Sequence, residues 1–265
     1  MTIDIISDLH FDLHLNNNDE EEAIKFLDAI FSDVTGDVLI IAGDIGHDNQ
    51  QNKKLIELIK ERNYKYVVCV LGNHDYYLMP GFKEYKNSFE RAAEMKEMLN
   101  SIDGVYCLDG DVIEIEGVKF GGAMGWYDGT YYNRFQTIYS KDVVSYWKQV
   151  LNDSKYIKGI DDFYDMLIQE RPKIERVYKE CDVMITHVNP SIEYENIAYA
   201  KRNESITAFY CFDGDAYLEN TTAKYWVFGH IHQCYDYEKY GVKVLSNPLG
   251  YPEQAHCFRR ERIEI

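Results

Sequence analysis

The stretch Gly72-Asn73-His74-Asp75 sets an amide, an imidazole and a carboxylate in a row directly after the apolar run Tyr66-Val67-Val68-Cys69-Val70. Asparagine offers a neutral carbonyl oxygen to a cation, histidine a nitrogen that titrates near neutral pH, and aspartate a carboxylate able to orient the imidazole. Four more polar motifs share this setting. Asp8 and His10 follow Thr2 to Ile6, Asp44 follows Asp37 to Ala42, His187 follows Asp182 to Thr186, and His230 and His232 follow Lys224 to Phe228. Five of the eight histidines fall in these motifs, whereas purely structural use would scatter them over helices and surface loops. Imidazole nitrogens with carboxylate and amide oxygens suit borderline divalent metals such as zinc, manganese or iron, and thiolates are not needed. In Asp8-x-His10 and His230-x-His232 the donors alternate. On extended backbone both would point to one side and could grip one ion or two adjacent ions.

Donors so far apart in sequence meet only if strand ends converge, and the intervening patterns predict such a fold. Thr2 to Ile6 reads as a strand; behind the acidic stretch Asn16 to Glu22, with its N-cap candidates, Ala23, Ile24, Phe26, Leu27, Ile30 and Phe31 recur at helical spacing. Asp37 to Ala42 reads as a buried strand, Lys53 to Lys60 as a helix, Tyr66 to Val70 as a strand and Phe82 to Asn100 as a long helix. In an open α/β sheet the loops beyond the carboxyl ends of strands meet in one crevice. Gly72 is expected to give the backbone freedom for a sharp exit from its strand. Val105 to Leu108 and a hairpin over Val112 to Phe120 continue the strands, and helices are expected near Asp142 to Leu151 and Asp161 to Tyr178, with Pro172 breaking or beginning one. Finally, Cys234 to Tyr237 pairs with Val242 to Leu245 through a turn at Lys239-Tyr240-Gly241.

The bulk composition narrows the classes. With 265 residues and 46% hydrophobic content the chain can bury a substantial core. No apolar run reaches the roughly 20 residues needed to span a bilayer, and the N-terminus lacks the zones of a signal peptide. The six cysteines are scattered without C-x-x-C spacing, which fits reduced thiols and a cytoplasmic location. A net charge of −17 repels polyanions and disfavours nucleic acid as a partner, while bound cations would reverse the sign locally for a small anionic substrate.

The motifs Ser7-Asp8-Leu9-His10, Gly43-Asp44, Gly72-Asn73-His74-Asp75, Thr186-His187 and Gly229-His230-Ile231-His232 resemble, in order and spacing, those of the calcineurin-like metallophosphoesterase family. Gly122 to Trp126 and Ser246-Asn247-Pro248-Leu249-Gly250-Tyr251-Pro252 are similar to a bacterial phosphohydrolase subgroup, and residues 127–180 match least. The resemblance implies a single domain over residues 1–265: a four-layer α/β/β/α sandwich of two mixed sheets with a dinuclear metal site at the strand ends, and a less regular helical cap or insertion at about 127–180. It also implies two divalent ions, manganese, iron or zinc. Asp8, His10, Asp44 and His232 would hold one, and Asp44, Asn73, His187 and His230 the other, with Asp44 bridging. Hydrolysis of a small phosphodiester or phosphomonoester would proceed by attack of a metal-bridging hydroxide. His74 would be the general acid for the departing alkoxide, with Asp75 or Asp48 to orient it.

Departures bear on the substrate. Protein Ser/Thr phosphatases of this superfamily carry Asp-Arg-Gly after the bridging aspartate motif, where this chain has Ile45-Gly46-His47-Asp48. A phosphoprotein substrate is therefore disfavoured, and His47 and Asp48 are expected at a solvated helix N-terminus. Val188 stands where the subgroup often has another histidine, while His14 and His256 are expected to be structural. Trp126, Tyr131 and Arg134 are expected to form a substrate wall, with Arg202 as a second phosphate grip. Two rival readings keep the fold: a binding or scaffold protein that has lost turnover, as the retromer member of the superfamily has, and a nuclease, which would need a basic track.

Overall fold

Buried strands lined on both faces read as continuous apolar runs, and the first half of the chain carries such runs between amphipathic helices. The computed structural model describes residues 1–15, 20–31, 35–62, 64–135, 142–193, 204–254, 259 and 261–265. β1 (Thr2–Ile6), α1 (Phe11–His14), α2 (Glu20–Ile30), β2 (Val38–Ala42), α3 (Asn49–Arg62), β3 (Tyr66–Val70), α4 (Ser88–Asn100) and β4 (Val105–Leu108) form the first half. β5 (Asp111–Ile115) and β6 (Val118–Gly122) follow, then α5 (Thr130–Phe135), α6 (Val143–Val150), α7 (Asp153–Tyr156), α8 (Phe163–Val177), β7 (Val183–Ile185), α9 (Asp215–Asn220), β8 (Tyr225–Phe228), β9 (Tyr235–Lys239), β10 (Val242–Ser246) and β11 (Glu261–Glu264).

The strands make two mixed sheets, ordered β11-β1-β2-β3-β4 and β5-β6-β7-β8-β10-β9. β1 to β4 run parallel, and so do β6, β7, β8 and β10, while β11, β5 and β9 are antiparallel edges. Alternate residues decide the layers. Ile3, Ile5, Val38, Ile40, Val68 and Val70 face Phe120, Val183, Ile185, Val227 and Leu245 in the core between the sheets. Their neighbours Leu39, Ile41, Val67 and Cys69 join Leu55, Ile56 and Ile59 of α3 and Met95 and Leu99 of α4 in the outer core. On the other side Met184 and Trp226 join Met166, Ile174 and Val177 of α8 in that same cluster. Each such side chain contributes about 1.5–3 kcal/mol on burial, so the four-layer α/β/β/α order follows from the pattern.

Three local expectations change. Pro172 lies inside α8 instead of ending it. Its missing N–H would have gone to the carbonyl of Ile168, whose side chain is 71% exposed, so water can take that acceptor. α4 begins at Ser88, because Asn87 accepts from the Glu90 amide as its N-cap. Residues 127–180 divide: α8 packs on β5 and β6 as part of the outer helical layer, while residues 151–158 dock on the chain beyond β3 through Leu78 N to Tyr156 O at 2.8 Å and Ser88 N to Lys158 O at 3.0 Å. No helix among the described residues is long and apolar enough to cross a membrane.

Candidate metal centre

The loops after β1, β2 and β3 and those after β7 and β8 meet at one end of the sandwich. Asp8, His10, Asp44, His230 and His232 all have positive φ, from 38° to 70°, which corrects the expectation of extended backbone for the two alternating pairs. Such left-handed residues cost of order 1–3 kcal/mol each and persist where surrounding bonds fix them. Those bonds are present: Asp8 N reaches Gly43 O at 3.0 Å, His10 N reaches Asp44 O at 3.0 Å, and Gly250 N reaches Asp8 O at 2.9 Å. The glycines provide room. A Cβ on Gly229 would stand 2.7 Å from Asp8 Oδ2, and one on Gly72, whose φ is not positive, would run into the Asp44 carboxylate. Gly72 thus serves close approach and not the backbone freedom expected of it.

All seven expected donors converge. Ligand atoms of Asp8, His10, Asp44 and His232 lie within 4.8 Å of one another, as do those of Asp44, His187 and His230. Asp44 belongs to both groups, with Oδ2 at 3.6 Å from His10 Nε2 and 3.3 Å from His187 Nε2. Asn73 Oδ1 stands 3.0 Å from both His187 Nε2 and His230 Nδ1.

The outer partners of the rings fix which atoms face inward. His187 Nδ1 is 2.8 Å from Ala42 O and His230 Nε2 is 2.9 Å from Phe209 O; carbonyls only accept, so those nitrogens donate and the other nitrogen of each ring is turned to the centre. Asn73 Nδ2 donates to Asp153 Oδ1 at 2.8 Å, which turns its carbonyl oxygen toward the two histidines. His187 Nε2, His230 Nδ1 and Asn73 Oδ1 are thus gathered about one point beside the Asp44 carboxylate. Likewise His232 Nδ1 is held at 2.7 Å by Gln254 Oε1, and its Nε2 faces His10 Nε2 at 3.1 Å. Nitrogen ligands about 2.0–2.1 Å from a cation stand about 3 Å apart when they subtend a right angle. The residues present fit two divalent cations, and the oxygen partners of His187, His230 and His232 are the supports that metal-binding imidazoles use.

Electrostatics agree. Burial opposes ionisation of Asp44, yet His187, His74 and His10 hold its carboxyl well below the usual range. Burial likewise opposes charge on His187, yet Asp44 and Asp8 lift its pKa to about 9. The site draws positive charge.

His74 enters with its backbone N donating to Asp44 Oδ1 at 2.9 Å. Neither Asp75 nor Asp48 orients its ring. Asp75 accepts from the amides of Gly72, Asp44 and Ile45, and Asp48 caps α3 through the amides of Gln50 and Gln51. His74 Nδ1 instead meets His47 Nε2 at 2.9 Å, and His47 Nδ1 meets Asp12 Oδ2 at 2.8 Å. His47 is 5% exposed, not solvated as expected. Arg91, itself buried, donates to the carbonyls of His74, Tyr77 and Gly46, so Asp75 and Arg91 tie the two loops through amides and carbonyls. Tyr251 Oη lies 3.4 Å from His74 Nε2, with its ring against His10 and His232.

The expected substrate wall is arranged otherwise. Trp126 is 1% and Tyr131 6% exposed, both within the hydrophobic core; their rings are enclosed by packing and do not present a wall. Arg134 is exposed at the end of α5. His14 bonds Gly250 O and packs on Phe26, whereas Arg202 and His256 lie outside the described residues. Sequence reasoning missed Asp12, Asp153 and Gln254. Asp12 sits two residues past His10, and Asp153 is a lone acid among apolar Trp147, Leu151 and Ile157, a weak signal for a buried partner.

A family profile described as calcineurin-like phosphoesterase matches residues 1–234. The chain belongs to the calcineurin-like phosphoesterase family. Metal-dependent hydrolysis of phosphoesters is therefore its general chemistry. The uncharacterized protein L509 of Acanthamoeba polyphaga mimivirus is 22% identical over 279 residues, spanning 96% of this chain and 92% of that protein. The crystal structure of phosphopantetheinyl hydrolase (PptH) from Mycobacterium tuberculosis overlays with a TM-score of 0.74 at 18% identity, covering 96% of this chain and 90% of the other, and so shares its fold.

Proposed function

We propose that the chain is a two-metal hydrolase of a small phosphodiester or phosphomonoester. The observation that carries this reading is the meeting of His187 Nε2, His230 Nδ1 and Asn73 Oδ1 about one point beside Asp44, the carboxylate that also belongs to the Asp8, His10 and His232 group. When bound, two divalent cations supply Lewis acidity, making a water nucleophilic at neutral pH and offsetting the charge of a phosphoryl group. Asp8, His10, Asp44 and His232 would hold one cation and Asp44, Asn73, His187 and His230 the other.

His74 is the general acid, with Asp12 and His47 as its support. Asp12 accepts from His47 Nδ1–H. If His47 carries the extra proton, its Nε2–H donates to His74 Nδ1 and leaves neutral His74 with N–H at Nε2; if His74 carries it, Nε2–H is again present. Either placement aims a proton outward from His74 Nε2. As that proton passes to the leaving oxygen, His47 can refill His74 at Nδ1, so the buried ring need not hold a full charge alone.

Metal analysis and hydrolysis assays on Asp44→Asn test the reading. An amide in place of the shared carboxylate should lower metal content and turnover together; full occupancy with full turnover would overturn the two-metal assignment.

A further inference from the structure

The segment between α6 and α8 contributes a carboxylate that no sequence motif announced. Asp153 has no exposed surface and accepts from Asn73 Nδ2 at 2.8 Å, Tyr77 Oη at 2.5 Å and Tyr127 Oη at 2.6 Å. Trp147 Nε1 in turn donates to Tyr127 Oη at 2.6 Å. A chain of hydrogen bonds thus runs from α6 through Tyr127 and Asp153 to the amide that faces His187 and His230.

Two physical points give this chain a consequence. An asparagine side chain can present either its oxygen or its NH2 group to a site, and only the oxygen can face a cation. A carboxylate accepts and never donates, so Asp153 holds the NH2 group on its own side and leaves Oδ1 for the centre. Further, no Lys or Arg among the described residues forms an ion pair with Asp153, and a buried carboxylate is unfavourable without a countercharge. A cation beyond Asn73 supplies that countercharge through one intervening amide.

We propose that Asp153 is a positioning residue for the Asn73, His187 and His230 side of the centre, and that it makes cation affinity there depend on how residues 142–158 dock. Asp8 meets this side through the main-chain N of His230 at 2.9 Å, but no side-chain hydrogen bond among the described residues joins Asp8, His10 or His232 to Asn73 or Asp153, so the two sides respond differently. The proposal rests on the two-metal reading, but binding is measured without turnover and the two can fail separately.

The experiment is Mn²⁺ binding to metal-stripped full-length protein, by equilibrium dialysis with elemental analysis, alongside thermal unfolding of each metal-free variant. Two bound equivalents in the wild type uphold the reading beneath the proposal; none would remove both. Asp153→Ala should weaken one equivalent by about 10–100-fold, the usual effect of losing a ligand's outer partner, and leave the other within threefold. Because the alanine variant can also disturb packing, a paired exchange accompanies it. Asn73→Asp sets two carboxylates face to face, and adding Asp153→Asn restores an amide donor against a ligand oxygen. The double variant should bind the affected equivalent at least tenfold more tightly than Asn73→Asp alone. Equal weakening of both equivalents in Asp153→Ala, no weakening, or no gain from the second exchange would each overturn the proposal.

Discussion

His74 is short of charge for the general acid proposed above. Burial first, and then His47 and His232 beside it, draw its pKa down to about 4 despite the pull of Asp44, so the neutral ring predominates near pH 7. His47 Nε2, 2.9 Å from His74 Nδ1 and backed by Asp12 at 2.8 Å, is placed to pass a proton to that ring in the proposed mechanism. His74→Ala should lower turnover by about 10²–10⁴-fold for esters with poor leaving groups and much less for nitrophenyl esters, since only the former need a proton in the transition state. His47→Ala should reproduce the same dependence at reduced size, about tenfold or more, with KM within threefold. Steady-state kinetics across a leaving-group series decide it, and a uniform loss over the series would remove His47 from proton delivery. The candidate metal donors were legible in the sequence because each stands right after an apolar run, where strand periodicity fixes its place. Asp12, His47 and Asp153 were not, since their roles depend on which side chains meet across the fold and no local spacing encodes that.

At the scale of elements, long apolar runs gave β1, β2, β3 and β4 nearly to the residue, because strands buried on both faces leave little freedom of pattern. β11 escaped notice for the opposite reason. Its residues Glu261, Arg262, Ile263 and Glu264 place one apolar side chain, Ile263, in the core between the sheets, and three charged residues hide a short edge strand. What fastens it is chemical: Arg262 Nε and Nη2 donate to Asp4 Oδ1 and Oδ2 at 2.6 and 3.0 Å, and Asp4 also accepts from Tyr64 Oη and Gly36 N, each at 2.8 Å. Burial alone would raise the Asp4 pKa, but Arg262, Gly36 and Tyr64 outweigh it and bring it below the ordinary value. A carboxyl with a lowered folded-state pKa stabilises the fold above its unfolded pKa of about 4 and loses that contribution as pH falls through the folded value. Asp4→Asn should therefore destabilise by about 1–3 kcal/mol at pH 7, and the gap from wild type should narrow below about pH 4 in denaturant titrations. A gap that stays constant down to pH 2 would show that the ionised pair is not the fastening.

Over the whole molecule, the centre joins the two sheets at their ends. Asp8, His10, Asp44 and Asn73 extend from the first sheet and His187, His230 and His232 from the second. Cations held there would act as a clasp across the sandwich, offsetting the repulsion between the buried Asp8 and Asp44 carboxylates. Ligand that binds only the folded state adds about 2.7 kcal/mol per site at a hundredfold excess over Kd, and a protein of this size gains about 2–4 °C in Tm per kcal/mol. Protein stripped with a chelator and then dialysed should melt about 5–10 °C below the same protein refilled with Mn²⁺ at one site. Sodium chloride at matched ionic strength should not substitute, because screening acts on exposed charges and hardly reaches groups this deeply buried. In Asp44→Asn the rise on adding Mn²⁺ should shrink to a small fraction of the wild-type value, since the one carboxylate shared by both sides is gone. Equal Tm for verified metal-free and refilled wild type would mean that the sheets are held without the clasp.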